Sequence, residues 1–128
     1  MAKVIKSEKL DKFISTRLTT GEVLGCLSDL SSSTGLQRLN IYLETLSPGH
    51  RSSPPHYHSD KEEFVFVIEG NPSLYVDGET VILNPGDAVG FPVHTQKYHM
   101  ISNNDTLESK ILVVSIASEK DVVIYHKE

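Results

Sequence analysis

Cysteine occurs once in the chain, at Cys26, so no disulfide can close within it and nothing in its composition points to an oxidising compartment. Cys26 is read as a small hydrophobe rather than a nucleophile. A basic excess is also missing: 12 Lys and Arg stand against 17 Asp and Glu, a formal net charge of −5. Nucleic-acid phosphates call for clustered cations, and without a basic stripe a nucleic-acid partner is not expected. Lys3, Lys6, Lys9 and Lys12 are interspersed with Glu8 and Asp11 and read as a solvated face. No apolar run approaches the roughly 20 residues of a membrane span. The opening residues lack the hydrophobic core of a secretion signal, so a cytoplasmic protein with no membrane partner is expected. The 128 residues suffice for one core but not two, and no repeat or low-complexity tract is visible.

What the chain does have is strand signals. Leu39, Ile41 and Leu43 alternate with Asn40, Tyr42 and Glu44, the pattern of a half-buried strand, which stops at Ser47-Pro48-Gly49. Phe64 to Ile68 is an apolar run closed by Glu69-Gly70-Asn71-Pro72. Asp77-Gly78, between residues 73–76 and 79–83, readily adopts the positive φ angles of a tight hairpin turn. Asn84-Pro85-Gly86 makes a second turn, because Pro presets one central φ and Gly accepts the other. Residues 87–91, 98–103, 110–115 and 121–125 read as further strands, and short strands at near-regular spacing mean a sandwich or barrel. Before them, Leu10, Phe13, Ile14 and Leu18 fall at helical spacing after Ser7, a residue suited to an N-cap, which predicts a short helix or an arm. Residues 28–35 are polar and lack alternation; they are expected to form a loop between an N-terminal arm, residues 1–35, and a barrel, residues 36–128.

The chemistry-bearing residues are His56, His58, Glu63 and His99, since three imidazoles and a carboxylate can enclose one divalent metal ion. On an extended strand His56 and His58 project to the same face and Tyr57 to the other. Glu63 stands at the mouth of the next strand. His99 follows a later strand and a Pro-containing loop, so only a fold that lays distant strands side by side, such as an antiparallel barrel, could bring it to the other three. His50 and His126 have no spaced partner and read as surface residues. His94 is a loop residue, with a substrate contact at the pocket mouth as the alternative. Tyr98, like Tyr57, is assigned to packing, and Asn103 to a hydrogen bond at a strand end.

Two stretches resemble the paired motifs of the cupin superfamily. Residues 49–63, Gly-His-Arg-Ser-Ser-Pro-Pro-His-Tyr-His-Ser-Asp-Lys-Glu-Glu, continuing to Gly70, are similar to its first motif, in which a Gly precedes His-x-His, a Glu and a closing Gly. Gly86-Asp87-Ala88-Val89-Gly90-Phe91-Pro92, continuing through His99 to Asn103, resembles the second, with its Gly, Pro, His and Asn. The resemblance covers residues 36–116 well and implies an all-β, cupin-type double-stranded β-helix, or jelly-roll barrel. Carried over by position, it places the metal ligands on His56, His58, Glu63 and His99, with Glu63 preferred to Glu62 by its spacing to Gly70. The departure is His94, which stands where the family usually has Gly, in a longer interval before the His. A small group of uncharacterised single-domain cupins shares that interval.

The ligands imply a divalent transition metal: Zn, Mn, Fe, Ni, Co or Cu. An ion of five or six coordination keeps positions open for water or substrate, and it lowers the pKa of bound water or polarises a substrate oxygen. Val65, Val67 and Ile101, in register with Glu63 and His99, are expected to form an apolar pocket floor. Phe64, Phe66 and Ile68 should face outward, against another sheet or a partner subunit. By analogy with the family the function is a metal-dependent reaction on a small oxygen-bearing substrate, a dioxygenase or isomerase; the alternative is a non-catalytic small-molecule or sugar-binding cupin. Tyr42 and His94 are the side chains that could reach the pocket, and a homodimer is what the resemblance implies.

Overall fold

β-Branched and aromatic residues alternate with polar ones through most of the chain, and in the computed structural model, which describes residues 2–127, they pair into two antiparallel sheets. The strands are β1 (Phe13–Thr16), β2 (Val23–Asp29), β3 (Leu39–Leu46), β4 (His56–His58), β5 (Glu63–Glu69), β6 (Ser73–Val76), β7 (Glu79–Ile82), β8 (Ala88–Phe91), β9 (His99–Ser102), β10 (Ser109–Ile116) and β11 (Val123–Tyr125). One sheet runs β1-β2-β3-β10-β5-β8 and the other β11-β4-β9-β6-β7. Neighbours in a sheet are mostly distant in sequence, the mark of a jelly roll. Between the sheets lies a core of Leu46, Val65, Val67, Leu74, Leu83, Ile101 and Ile111.

One turn sets the register of a hairpin and a second carries the chain from one sheet to the other. Asp77 (φ 49°) and Gly78 (φ 90°) join β6 to β7, and the pairing of Val76 with Glu79 leaves just these two residues in the loop. At Asn84-Pro85-Gly86 the Asp87 amide donates to the Asn84 carbonyl at 2.9 Å and Gly86 takes a φ of 91°.

Asn103 is fully buried and ties three segments together. Its amide nitrogen donates to the carbonyls of Leu46 and Leu107, both at 2.8 Å, and its side-chain oxygen accepts from the Asp105 amide at 3.1 Å. Its backbone exchanges bonds with Gly49 and His50. Asn103→Ala leaves these buried carbonyls unpaired, so urea denaturation should show a loss of about 2–4 kcal/mol. A loss under about 0.5 kcal/mol would mean that water replaces the amide.

Three sequence expectations change. The helix expected from Leu10 to Leu18 does not form: Ser7–Lys9 is a single 3-10 turn capped at Lys6 without a side-chain bond, and Phe13–Thr16 is an edge strand. Pairing with β2 satisfies its backbone, and Phe13, Ile14 and Leu18 stay largely exposed, so the helical spacing had no core to face. β1 and β2 therefore extend the larger sheet beyond β3. The polar stretch 28–35 is the end of β2 followed by a helical turn, α1 (Leu30–Thr34), whose first amides, Ser31 and Ser32, donate to Asp29 Oδ1 at 3.0 Å. On β3 the polar face is the inner one: Glu44 and Leu46 are buried and Tyr42 lines the interior, while Leu39 is 40% exposed.

Candidate metal centre

The centre is assembled across the gap between the sheets, with imidazoles from one and carboxylates from the other. Strand alternation on β4 turns His56 and His58 inward together, and His99 on β9 is the register partner of His56. Ring centroids are 4.6 Å apart for His56 and His99 and 5.1 Å for His56 and His58. Glu63 opens β5 on the opposite sheet and points inward with Val65 and Val67, whereas Glu62 is exposed. One donor atom each from His56, His58 and Glu63 lies within 4.8 Å of the others. His99 joins this trio through Glu63, its Nε2 standing 3.1 Å from Oε1, while His58 Nε2 stands 3.5 Å from Oε2.

The far nitrogens of two rings are anchored. His58 Nδ1 donates to Asp121 Oδ2 at 2.8 Å. His56 Nδ1 lies 3.0 Å from the Pro54 carbonyl and 2.9 Å from Ser53 Oγ. A carbonyl only accepts, so Nδ1 of His56 carries the proton and Nε2 keeps its lone pair. This is the outer arrangement by which metal-binding histidines fix tautomer and ring orientation. His99 is held differently, stacked on Phe91 at 3.7 Å and 10°.

Electrostatics follow from burial and proximity. Burial alone would raise the Glu63 carboxyl, but hydrogen bonds from His58 and His99 outweigh it and hold the group well below the carboxylate range. Burial, with the adjacent His99, pulls His56 down to about 4, which keeps it neutral. Burial also disfavours charge on His58, yet its bonds to Glu63 and Asp121 raise it overall. A neutral imidazole and an ionised carboxylate are the forms that ligate metals.

The histidines open onto a cavity of about 230 Å3 lined by Tyr42, Glu44, Val65, Phe91, Ile101, Ile111, Val113 and Tyr125 among others. Val65 and Ile101 form its apolar wall as expected, while Val67 lies in the core behind it. Tyr42 reaches the cavity; His94 does not, being an exposed loop residue with a φ of 66°. That left-handed angle suits Gly, the residue the motif usually has there. Tyr57 and Tyr98 pack on each other away from the site, with centroids 5.1 Å apart.

Sequence reasoning missed Asp121 and Glu44. Asp121 lies 63 residues from His58, and no local pattern links them. Glu44 is 5% exposed, and burial, reinforced by the charge of Glu63 and opposed by a Ser52 hydrogen bond, pushes its carboxyl up to about 7. Its alternation with Tyr42, already placed within reach of the pocket, was the available signal.

The sequence model of the cupin domain matches residues 42–115, and the two-sheet architecture agrees with it. The chain belongs to the cupin family. It is 28% identical over 97 residues, 76% of its length, to quercetin 2,3-dioxygenase of Bacillus subtilis, of which it covers 28%. It is 31% identical over 70 residues, 55% of its length, to an auxin-binding protein of Nicotiana tabacum, of which it covers 33%. This cupin thus spans about a third or less of the curated relatives it matches. Among solved structures it resembles a sugar phosphate isomerase of the cupin superfamily from Silicibacter pomeroyi, with a TM-score of 0.88 and 26% identity over 98% of this chain and 82% of that one. Among the described residues no helix is long and apolar enough to cross a membrane.

Proposed function

We propose that this cupin holds one divalent transition-metal ion through His56, His58, Glu63 and His99 and acts on a small oxygen-bearing substrate, with isomerase chemistry preferred to dioxygenase chemistry. The observation that carries the metal is the donor set: His56 and His58 have Nδ1 engaged by Pro54 and Asp121, which leaves Nε2 for coordination beside an ionised Glu63. The isomerase preference is supported by likeness over nearly the whole chain to the Silicibacter protein, where the dioxygenase matches over a smaller share. When bound, the ion would polarise a substrate oxygen. The chain's own residues would do the rest. Val65, Phe91 and Ile101 exclude bulk water from the cavity, and Asp121 and Pro54 keep the imidazoles from turning. A non-catalytic binder of small molecules is the second reading, favoured by the auxin-binding relative. Screening aldose and ketose sugars and their phosphates for interconversion separates the two, since a binder would shift in melting temperature without turnover. A cytoplasmic location accords with this substrate class.

Asp121→Asn keeps the shape of the anchor but weakens its grip on His58 Nδ1–H. Metal affinity, measured by competition with a chelating dye, should fall about 10–100-fold. Unchanged affinity would separate Asp121 from the centre.

We also assign the outer face of the larger sheet to a second copy of the chain. Leu39, Phe64 and Ile116 are 40%, 42% and 56% exposed there, beside Ile41, Leu43, Phe66, Leu112 and Val114, and they form one apolar patch across β3, β10 and β5. Light scattering should give a dimer that Phe64→Glu converts to monomer; a wild-type monomer at high micromolar concentration refutes the assignment.

A further inference from the structure

Glu44 is the one cavity-lining side chain whose presence neither packing nor the ligand set explains. It enters from the middle of β3, paired with Leu27 on β2 and Ile111 on β10, among apolar neighbours. Its Oε1 is buried with no hydrogen-bond partner among the described residues, although Ser52 bonds the carboxyl group. Gly25 on β2 makes room for it: a Cβ at that position would lie 2.5 Å from Oε1 and 2.7 Å from Cδ. A buried carboxyl left half-unpaired costs stability, so a site that is built around one has a use for it.

We propose that Glu44 is the catalytic acid–base residue of this cavity and that the substrate class is a small α-hydroxy carbonyl compound, an aldose or ketose or its phosphate. The inference rests on the isomerase reading above. The carboxylate of Glu44 removes a proton from the carbon next to the carbonyl. The C–H electron pair becomes the C=C bond of an enediolate, and the carbonyl π pair moves onto oxygen. The hydroxyl proton of the enediolate passes to the oxygen of the former carbonyl, and Glu44 returns its own proton to that oxygen's carbon as the pair on the second oxygen closes to the isomeric carbonyl, so no oxidant or reductant is consumed. Three features of the chain serve this step. Oε1 has no hydrogen bond to give up when it takes the proton, Ser52 holds the group in place, and Val65 and Ile101 give the cavity an apolar wall.

The test uses the purified, metal-bearing protein in D2O with dihydroxyacetone, D-ribose and D-fructose, each free and as its terminal phosphate, and follows carbon-bound hydrogen by proton NMR. Wild type should exchange deuterium into at least one probe. Glu44→Gln should lower that rate ~100-fold or more with metal content unchanged and no loss of melting temperature, and Glu44→Asp should restore part of it. As a readout independent of turnover, infrared spectra of the metal-free protein should show a buried protonated carboxyl that is lost on raising the pH through neutrality and is missing from Glu44→Gln. Exchange by Glu44→Gln within about threefold of wild type, or a carboxyl band that survives the substitution, overturns the role of Glu44 alone. If wild type carries metal and exchanges none of the probes, the isomerase reading fails, and the role of Glu44 with it.

Discussion

His58→Ala should leave purified protein with little or no transition metal where wild type carries close to one ion per chain. The variant removes a donor, Nε2, and also the ring that Asp121 anchors at 2.8 Å. Loss of an outer anchor alone weakens metal binding about 10–100-fold, so loss of the ligand itself should exceed about 100-fold. The apolar core, from Leu46 to Ile111, does not include this side chain, and the metal-free variant should lose only about 1–3 kcal/mol through the broken Asp121 bond. His99→Ala should behave alike. Glu63→Gln should also strip metal, while Glu62→Gln, exposed just before the strand begins, should not. Elemental analysis of protein never exposed to chelator or immobilised nickel reads all four variants. Full metal content in His58→Ala or His99→Ala removes that residue from the ligand set, and equal effects at Glu62 and Glu63 reassign the carboxylate.

Glu44→Gln should change how the metal-free protein responds to pH. The folded chain holds this carboxyl at about 7 because burial disfavours its charge, whereas the unfolded chain releases the proton near the ordinary 4.5. Below that lower value both states are protonated and the carboxyl imposes no penalty. Between the two values the unfolded state binds fewer protons, so stability falls as pH rises, and above about 7 the deficit is constant. The shift corresponds to a deficit of about 3 kcal/mol. Glutamine keeps the shape and carries no charge. Wild type and variant should therefore have similar urea stabilities near pH 4, and the variant should gain steadily up to pH 8. Groups that do not interact with Glu44 cancel in the difference, while the repulsion between Glu44 and Glu63 is part of what it measures. Parallel curves over this range would place the Glu44 carboxyl in contact with water.

The same two residues show how far the sequence reached. The candidate set His56, His58, Glu63 and His99 was legible because each lies in a short motif with a fixed spacing, and strand alternation puts His56 and His58 on one face with Tyr57 on the other. Asp77-Gly78 and Asn84-Pro85-Gly86 were legible because a positive φ has few tolerant residues. Glu44 was misread because alternation fixes that Leu39, Ile41 and Leu43 share a face but not which face meets the interior. Hydrophobicity normally decides that, and here β3 turns Tyr42 and Glu44 into the interior cavity while its more apolar face is turned outward. The helix expected near Leu10 failed for a related reason, since helical spacing stabilises a helix only where a core receives its apolar stripe.

The sequence by itself determined most of the strands from β3 onward, the tight turns and a candidate ligand set written in two local motifs, because turn conformation and strand alternation are set by residues within a few positions of one another. Only the tertiary structure decided that histidines of one sheet meet carboxylates of the other, that Asp121 steadies His58, and that Gly25 clears space for Glu44. Those are contacts between strands far apart along the chain, and they exist only once closure of the barrel has fixed the register between its sheets.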